Sequence, residues 1–405
     1  MKIHDAPLLI TALIAVLAPL ICEIPVPLRM PMIVLEIAFG ILVGPHLLKL
    51  AQPDGMLAVL SYIGLIFLFF LAGMEIDLRR IQGRPLSLAV KGWFFSLVVA
   101  FLISWGLYKA GFILTPHLVA VALTTTALSV LFPMLRDSGE LETRFGKYVT
   151  AAGAVGEFGP IVAISLLFTR EDHQIVQIAL LVLFIVVAVV AAYLTLLPTP
   201  PRMVAFFTRT METASQLPVR FAILLLAILI VLAERFGLGM VLGAFSAAMV
   251  IGLGTNSEKG YVLRHKLDAI GFGFLIPMFF VTSGMRFGLN ALLSGPQTYM
   301  RVPVFLVLFL VVRGLPTLLY RRHLPSQQLA PLALYSATEL PLIVAITELG
   351  VRSGRMQPDN AAALVGAGML SVLLFPLAAS VLRRRAQAPV QALSTSIAEV
   401  NVDGS

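Results

Sequence analysis

Three ionisable side chains stand alone in long apolar runs: Glu157, Arg313 and Glu339. Glu157 lies between Lys147 and Arg170, and Arg313 between Arg301 and Arg321. Glu339 lies between His323 and Arg352, with Glu348 the one other charge in that stretch. At about 1.5 Å of rise per helical residue, each sits on the order of 15 Å from either end of its run, near the middle of a bilayer. A lone charge at that depth is costly, so it persists where it pairs, meets water or works.

The residue types define the chemistry on offer. A carboxylate such as Glu157 can carry a proton or a small cation in alternation, and desolvation against a nearby cation tunes that balance. Arg313 keeps its charge at any physiological pH. It therefore needs a carboxylate partner, with Glu157 and Glu339 as the candidates. A static ion pair and a pair that opens when a cation binds both fit. Glu339 either neutralises free helix ends or coordinates directly.

The elements that must hold these groups carry signs of local unwinding. One run has Thr124-Thr125-Thr126 followed by Pro133; another has Ser336, Thr338, Glu339 and Pro341. Proline removes a backbone donor and frees a carbonyl, while Ser and Thr hydroxyls replace backbone partners. Pro133, Thr338 and Pro341 are accordingly expected at helix breaks, with Thr125 and Thr126 as candidate oxygen ligands beside Glu157. Simple bending of packed helices is the plainer alternative. Glu36 precedes Gly40, Gly44 and Pro45, a pattern that reads as close helix packing. Glu75 and Asp77, beside Arg79 and Arg80, read as interfacial anchors or as a cytoplasmic cation funnel.

The whole chain is built for a membrane. Of its 405 residues 59% are hydrophobic and 12% charged, with a mean hydropathy of +0.96. A soluble chain carries about 25% charged residues. Topology accounts for the net charge of +8, so no nucleic-acid partner is implied. A single cysteine, Cys22, excludes an internal disulfide framework and a cysteine-based zinc site. No cofactor is expected. The sequence holds no paired-aspartate metal motif, no Ser/His or His/Glu catalytic spacing and no nucleotide loop, which argues against an enzyme.

Hydropathy and turn residues predict an all-α polytopic protein of about thirteen spans. Their approximate limits are 7–23, 31–48, 57–76, 87–108, 116–135, 148–169, 174–197, 218–234, 238–254, 267–285, 302–320, 328–350 and 360–382. Residues 1–385 form one transmembrane domain, and 386–405 form a short, polar, disordered tail. Loops after odd-numbered spans hold roughly twice as many Lys and Arg as those on the other side, among them Arg79, Arg80, Arg84 and Arg383–Arg385. This bias places the C-terminus in the cytoplasm and the N-terminus outside, in a cell (inner) membrane.

A repeat runs through the chain. Val34-Leu35-Glu36-Ile37-Ala38-Phe39-Gly40 resembles the stretch from Val241 to Phe245, and Phe69 to Met74 resembles Phe279 to Met285. Thr125-Thr126-Ala127-Leu128 resembles Ala337-Thr338-Glu339-Leu340, and the offset stays between 207 and 212 residues. Spans 1–6 then match spans 8–13, with 174–197 as a linker helix. A displacement of seven spans makes the repeat inverted, as in secondary transporters with a midplane site.

These residues resemble the monovalent cation:proton antiporter-2 family, which contains the Kef and Nap exchangers. The likeness rests on Pro31 to Glu36 with Gly40, Gly44 and Pro45, on Phe70 to Asp77, on Thr124–Thr126, and on Gly156-Glu157. Phe279-Phe280 through Met285 and Glu339 complete it. The resemblance implies a homodimer with a scaffold (about 7–76 and 218–285) and a mobile core (about 87–169 and 302–382), moving in an elevator-like cycle. It puts the ion- and proton-binding acid of the sixth span at Glu157 and the basic residue of the eleventh at Arg313. The crossed, unwound helices fall on the fifth and twelfth spans.

Two departures stand out: the usual aspartate is a glutamate preceded by Gly156, and the basic residue is arginine where some members have lysine. One titratable site then implies electroneutral exchange of Na⁺ or K⁺ for H⁺, the metal cation being cargo at Glu157. The C-terminal nucleotide-binding regulatory domain of Kef-type relatives is not expected. Two other readings are an organic-anion symporter of bile-acid type, in which Arg313 is the main contact, and a non-transporting membrane sensor of the same fold.

Overall fold

A computed structural model describes residues 6–23, 31–53, 55–75, 81–167, 215–236, 239–254, 258–289 and 299–402, with a few further positions between 179 and 213. The regular structure of the described residues is helical. In chain order the helices are α1 (Ala6–Glu23), α2 (Met32–Val43), α3 (Gly55–Glu75), α4 (Arg84–Lys109), α5 (Pro116–Ala122), α6 (Leu128–Asp137) and α7 (Arg144–Leu167). Then come α8 (Leu217–Arg235), α9 (Met240–Gly254), α10 (Glu258–Ile270) and α11 (Ile276–Met285). The last are α12 (Arg301–Gly314), α13 (Ser326–Ser336), α14 (Pro341–Arg352) and α15 (Pro358–Val402).

Eight stretches among the described residues are long and apolar enough to cross a membrane, and three shorter apolar helices, near α1, α2 and α9, accompany them. Several follow directly from local chemistry. Helix α2 stops at Val43 because Gly44-Pro45 turns the chain. A five-residue π-helical stretch, Gly271–Leu275, joins α10 to α11. Pro277 lacks the N–H that the Gly273 carbonyl would take, and such a gap favours a wider local turn. Pro316 likewise opens the 3₁₀ stretch Leu315–Tyr320 after α12.

Two expectations need revision. Pro133 lies inside α6, and the break in the fifth span comes earlier, at 123–127. The tail expected to be disordered from 386 is instead a continuation of α15 to Val402, because its Ala, Gln and Leu residues are good helix formers. The linker span 174–197 falls almost wholly outside the described residues, as does Asp77; Glu75 ends α3.

The chain divides into two compact units. Unit 1 comprises Met1–Arg80 and Pro160–Asn290, and unit 2 comprises Ile81–Gly159 and Ala291–Ser405. Unit 1 has a core around Ile14, Val43, Met278, Val281 and Met285. In it α2 meets α11 backbone to backbone: a Cβ on Gly40 would strike the Val281 carbonyl, and one on Gly284 the Ile37 carbonyl. Small residues permit that approach. Unit 2 has a core of Leu131, Leu135, Phe145, Tyr148, Tyr320, Leu332 and Tyr335. Arg383, near the membrane end of α15, pairs with Glu140 and lies 4.1 Å from the Phe145 ring centroid.

Candidate ion- and proton-binding site

Unit 2 contains two interrupted helices. The fifth span is α5 and α6 separated by 123–127; the twelfth is α13 and α14 separated by 337–340. The interruptions cross. The Ala127 N–H donates to the Thr338 carbonyl at 2.8 Å, and the Thr126 hydroxyl donates to the Ser336 carbonyl at 2.6 Å. Thr124 and Thr338 turn their hydroxyls back to Val121 (2.8 Å) and Leu334 (3.0 Å), satisfying carbonyls at the two frayed ends. Backbone polar groups in a membrane must find partners inside the protein, and hydroxyls supply them here.

Arg313 is the hub. It is 4% exposed. Its Nε and Nη2 donate to Thr126 Oγ1 at 3.1 and 2.8 Å, and Nε also reaches the Ser336 carbonyl at 3.3 Å. Nη1 reaches Ser96 Oγ at 3.3 Å, and Nη2 the Ala152 carbonyl at 3.2 Å. The hydrogen bonds of the guanidinium thus run to neutral oxygens on four elements. The direct ion pair expected with a carboxylate is not among the contacts of the described residues; Arg313 and Glu339 are coupled through space. Helix dipoles explain the arrangement. The cation sits at the C-terminal carbonyls of α13, and Glu339 sits just before the N-terminus of α14, each matching the partial charge of its helix end.

Glu339 is fully buried. Its Oε2 is 3.0 Å from the Thr125 hydroxyl, which is also 3.0 Å from the Ala122 carbonyl. One hydroxyl hydrogen serves one of these acceptors at a time, so Thr125 can switch between helix end and carboxyl. The Glu339 N–H donates to Ser371 Oγ at 2.9 Å, and that hydroxyl is 2.8 Å from the Glu339 carbonyl. Ser371 of α15 therefore holds the second break in place.

Glu157 is 4% exposed in α7. Its setting is made by its neighbours in sequence. Pro160 has no N–H for the Gly156 carbonyl, the ordinary helical partner four residues back. The Thr126 N–H of the first break takes that carbonyl at 3.0 Å. Residue 156 has no room for a side chain: a Cβ there would lie 2.6 Å from both Arg313 Nη2 and Thr126 Oγ1. Gly159 is equally tight against the Trp93 ring. The glycine that precedes Glu157 thus lets Arg313 and the crossing come up against α7.

The structure brings Thr125, Thr126, Arg313, Thr338 and Glu339 into one bonded cluster, with the Glu157 segment joined to it through Gly156. Pro341 begins α14 at the edge of the second break. Ser96, Ser371 and Trp93 belong to the site and are not singled out by the sequence. The signal is faint but present: Ser96 and Ser371 are hydroxyls inside the apolar runs Phe94–Phe101 and Met369–Leu374. Pro316 adds a second clue, since it frees the Val312 carbonyl, and Ser96 donates to that carbonyl at 2.9 Å.

Comparison with known proteins agrees with this architecture. The chain is 24% identical over 400 residues to the putative Na⁺/H⁺ antiporter YjbQ of Bacillus subtilis, covering 95% of this chain and 64% of YjbQ. It is 27% identical to the cation/H⁺ antiporter 15 of Arabidopsis thaliana, covering 71% of this chain and 36% of that protein. It thus spans less than two thirds of either relative. The Na⁺/H⁺-K⁺ antiporter GerN of Bacillus cereus is 23% identical, with 90% of this chain and 93% of GerN covered. These relatives are transporters by name, not enzymes. Among solved structures, the sodium proton antiporter MjNhaP1 of Methanocaldococcus jannaschii shares the fold, with a TM-score of 0.66 at 17% identity over 94% of this chain and 97% of that one. The profile described as sodium/hydrogen exchanger, transmembrane, matches residues 12–383, and the chain belongs to that family.

Proposed function

We propose that this chain is a secondary-active antiporter that exchanges Na⁺ or K⁺ for H⁺ at Glu157. The observation that carries the reading is the buried Glu157 one residue from the Gly156 carbonyl, which is bonded to the crossing of two broken helices. One carboxylate cannot hold a proton and a metal cation together, so each ligand travels in its own half-cycle. Thr125 and Thr126, in the crossing whose Thr126 N–H holds the Gly156 carbonyl, are the assigned oxygen partners of the cation on this reading. Arg313 is a fixed charge that balances Glu339 and the α13 terminus, which leaves Glu157 as the exchanging group. Exchange is electroneutral on this account, one cation for one proton.

The finer assignments follow the same reading. The subfamily is the Kef/Nap type, built as two inverted six-helix repeats; the paired constructions α5–α6 and α13–α14 support this. Unit 1 acts as scaffold in a homodimer and unit 2 as the moving core of an elevator cycle. The protein sits in the cell (inner) membrane with its N-terminus outside. Glu75 and Asp77 gather cations at the cytoplasmic side. An organic-anion symporter is disfavoured, because the guanidinium of Arg313 is already engaged by Thr126, Ser96, Ser336 and Ala152.

Proton flux in proteoliposomes under imposed Na⁺ and K⁺ gradients tests the assignment. Wild type is expected to show cation-driven flux and Glu157→Gln none; equal flux from both would overturn it. A sizeable transient current on a solid-supported membrane during turnover would overturn electroneutrality.

A further inference from the structure

Exchange at Glu157 leaves one buried acid without a task. Glu36, in unit 1, is 1% exposed, and neither carboxyl oxygen has a hydrogen-bond partner among the described residues. It lies one helical turn before Gly40, on the same face of α2, and Gly40 is the residue pressed against the α11 backbone. The facing helix carries a second unanswered group, the hydroxyl of Thr282, which is fully buried and also has no partner among the described residues. The elements packed on α2 bring few charges near. Helix α1 offers the Cys22 thiol, within electrostatic reach of Glu36, and Glu23 beside it. Helix α11 offers Arg286 beyond its last turn, where Nη2 donates to the Pro53 carbonyl at 3.4 Å.

An ionised carboxylate with no donor and no paired cation among the described residues is too costly in such a setting, and a group so placed takes up a proton instead. A metal cation is a poor alternative ligand. One carboxyl and one hydroxyl fall far short of the six or more oxygens that hard cations gather. We propose that Glu36 is a second proton-binding site, separate from Glu157, whose occupancy by H⁺ holds the α2–α11 contact together. Ionisation of Glu36 places an unpaired charge in a buried position one turn from the close Gly40–Gly284 approach, so it drives that contact apart.

The test uses the full chain in lipid nanodiscs, followed by infrared spectroscopy of protonated carboxyl groups from neutral to alkaline pH. Wild type and Glu157→Gln are expected to share one protonated-carboxyl signal that Glu36→Gln lacks. The wild-type thermal midpoint is expected to fall as pH rises through loss of that signal, because the folded state then binds more protons than the unfolded one. Glu36→Met, an apolar side chain of similar length, is expected to fold with an equal or higher midpoint that no longer falls over that range. Identical carboxyl signals in wild type and Glu36→Gln would overturn the proposal. Failure of both Glu36→Gln and Glu36→Met to fold would do so too, since it would mean an ionised, partnered carboxylate. Cation-driven flux reads Glu157 and these measurements read Glu36, so one assignment can fail without the other.

Discussion

The α2–α11 contact in unit 1 and the crossing of the two unwound stretches in unit 2 join helices by opposite means. In the first, Gly40, Gly44 and Gly284 bring backbone against backbone, and the buried polar atoms of Glu36 and Thr282 find no donor or acceptor among the described residues. In the second, the helices are opened, and Arg313, Thr126, Ser336 and Ser371 tie the loose ends together. A glycine joint depends on shape and tolerates little added volume. A polar joint depends on charge balance and offers alternative partners, as the Thr125 hydroxyl has both the Ala122 carbonyl and Glu339 within 3.0 Å. The proposed ion exchange belongs with the second kind.

Variants that strain one joint and spare the other sharpen this contrast. The largest effect is expected from Glu157→Gln, which should lower cation-driven flux to that of empty liposomes while the thermal midpoint stays near wild type. Arg313→Ala follows. It takes the shared donor from the Thr126 hydroxyl and the Ser336 and Ala152 carbonyls, a loss of about 1–3 kcal/mol for each buried group left unsatisfied. The detergent-solubilised midpoint should fall accordingly, and Arg313→Lys should recover part of it. Gly156→Ala should cost about 1–3 kcal/mol through overpacking against Arg313 and Thr126, and should reduce flux per folded molecule as well. Gly40→Ala should cost a similar amount of stability with flux per folded molecule retained; equal loss of flux in both glycine variants would erase the distinction between the joints. The smallest effect is expected from Ser371→Ala, about 1 kcal/mol for one hydrogen-bonding hydroxyl, read as a small drop in midpoint.

The charges that matter are legible in the sequence because a bilayer makes each of them conspicuous. Glu157, Arg313 and Glu339 stand out from their apolar surroundings whatever they touch. The two breaks are legible for a related reason, since clustered Thr and Pro at mid-depth weaken the helix that carries them. The partner of Arg313 is not legible. Charge balance points to a carboxylate, yet hydroxyls and carbonyls answer the guanidinium, because broken helices expose more carbonyls than a count of charges foresees. Pro133 misleads for a similar reason: a proline can be accommodated within a helix, and the unwinding is set by tertiary bonds to Thr338 and Ser336. Ser96 and Ser371 stay hidden because a lone serine in an apolar run is too ordinary to single out.

Pro160 withholds an amide from the carbonyl just ahead of the acid, and Thr126 supplies the replacement from another element. The acid's own main chain is therefore leashed to the unwound strand by a link that helix geometry does not require. In the proposed exchange cycle a tug on that strand reaches the carboxylate directly, and a displacement of the carboxylate is felt by the strand, so cargo and machinery would report to one another across a single peptide oxygen.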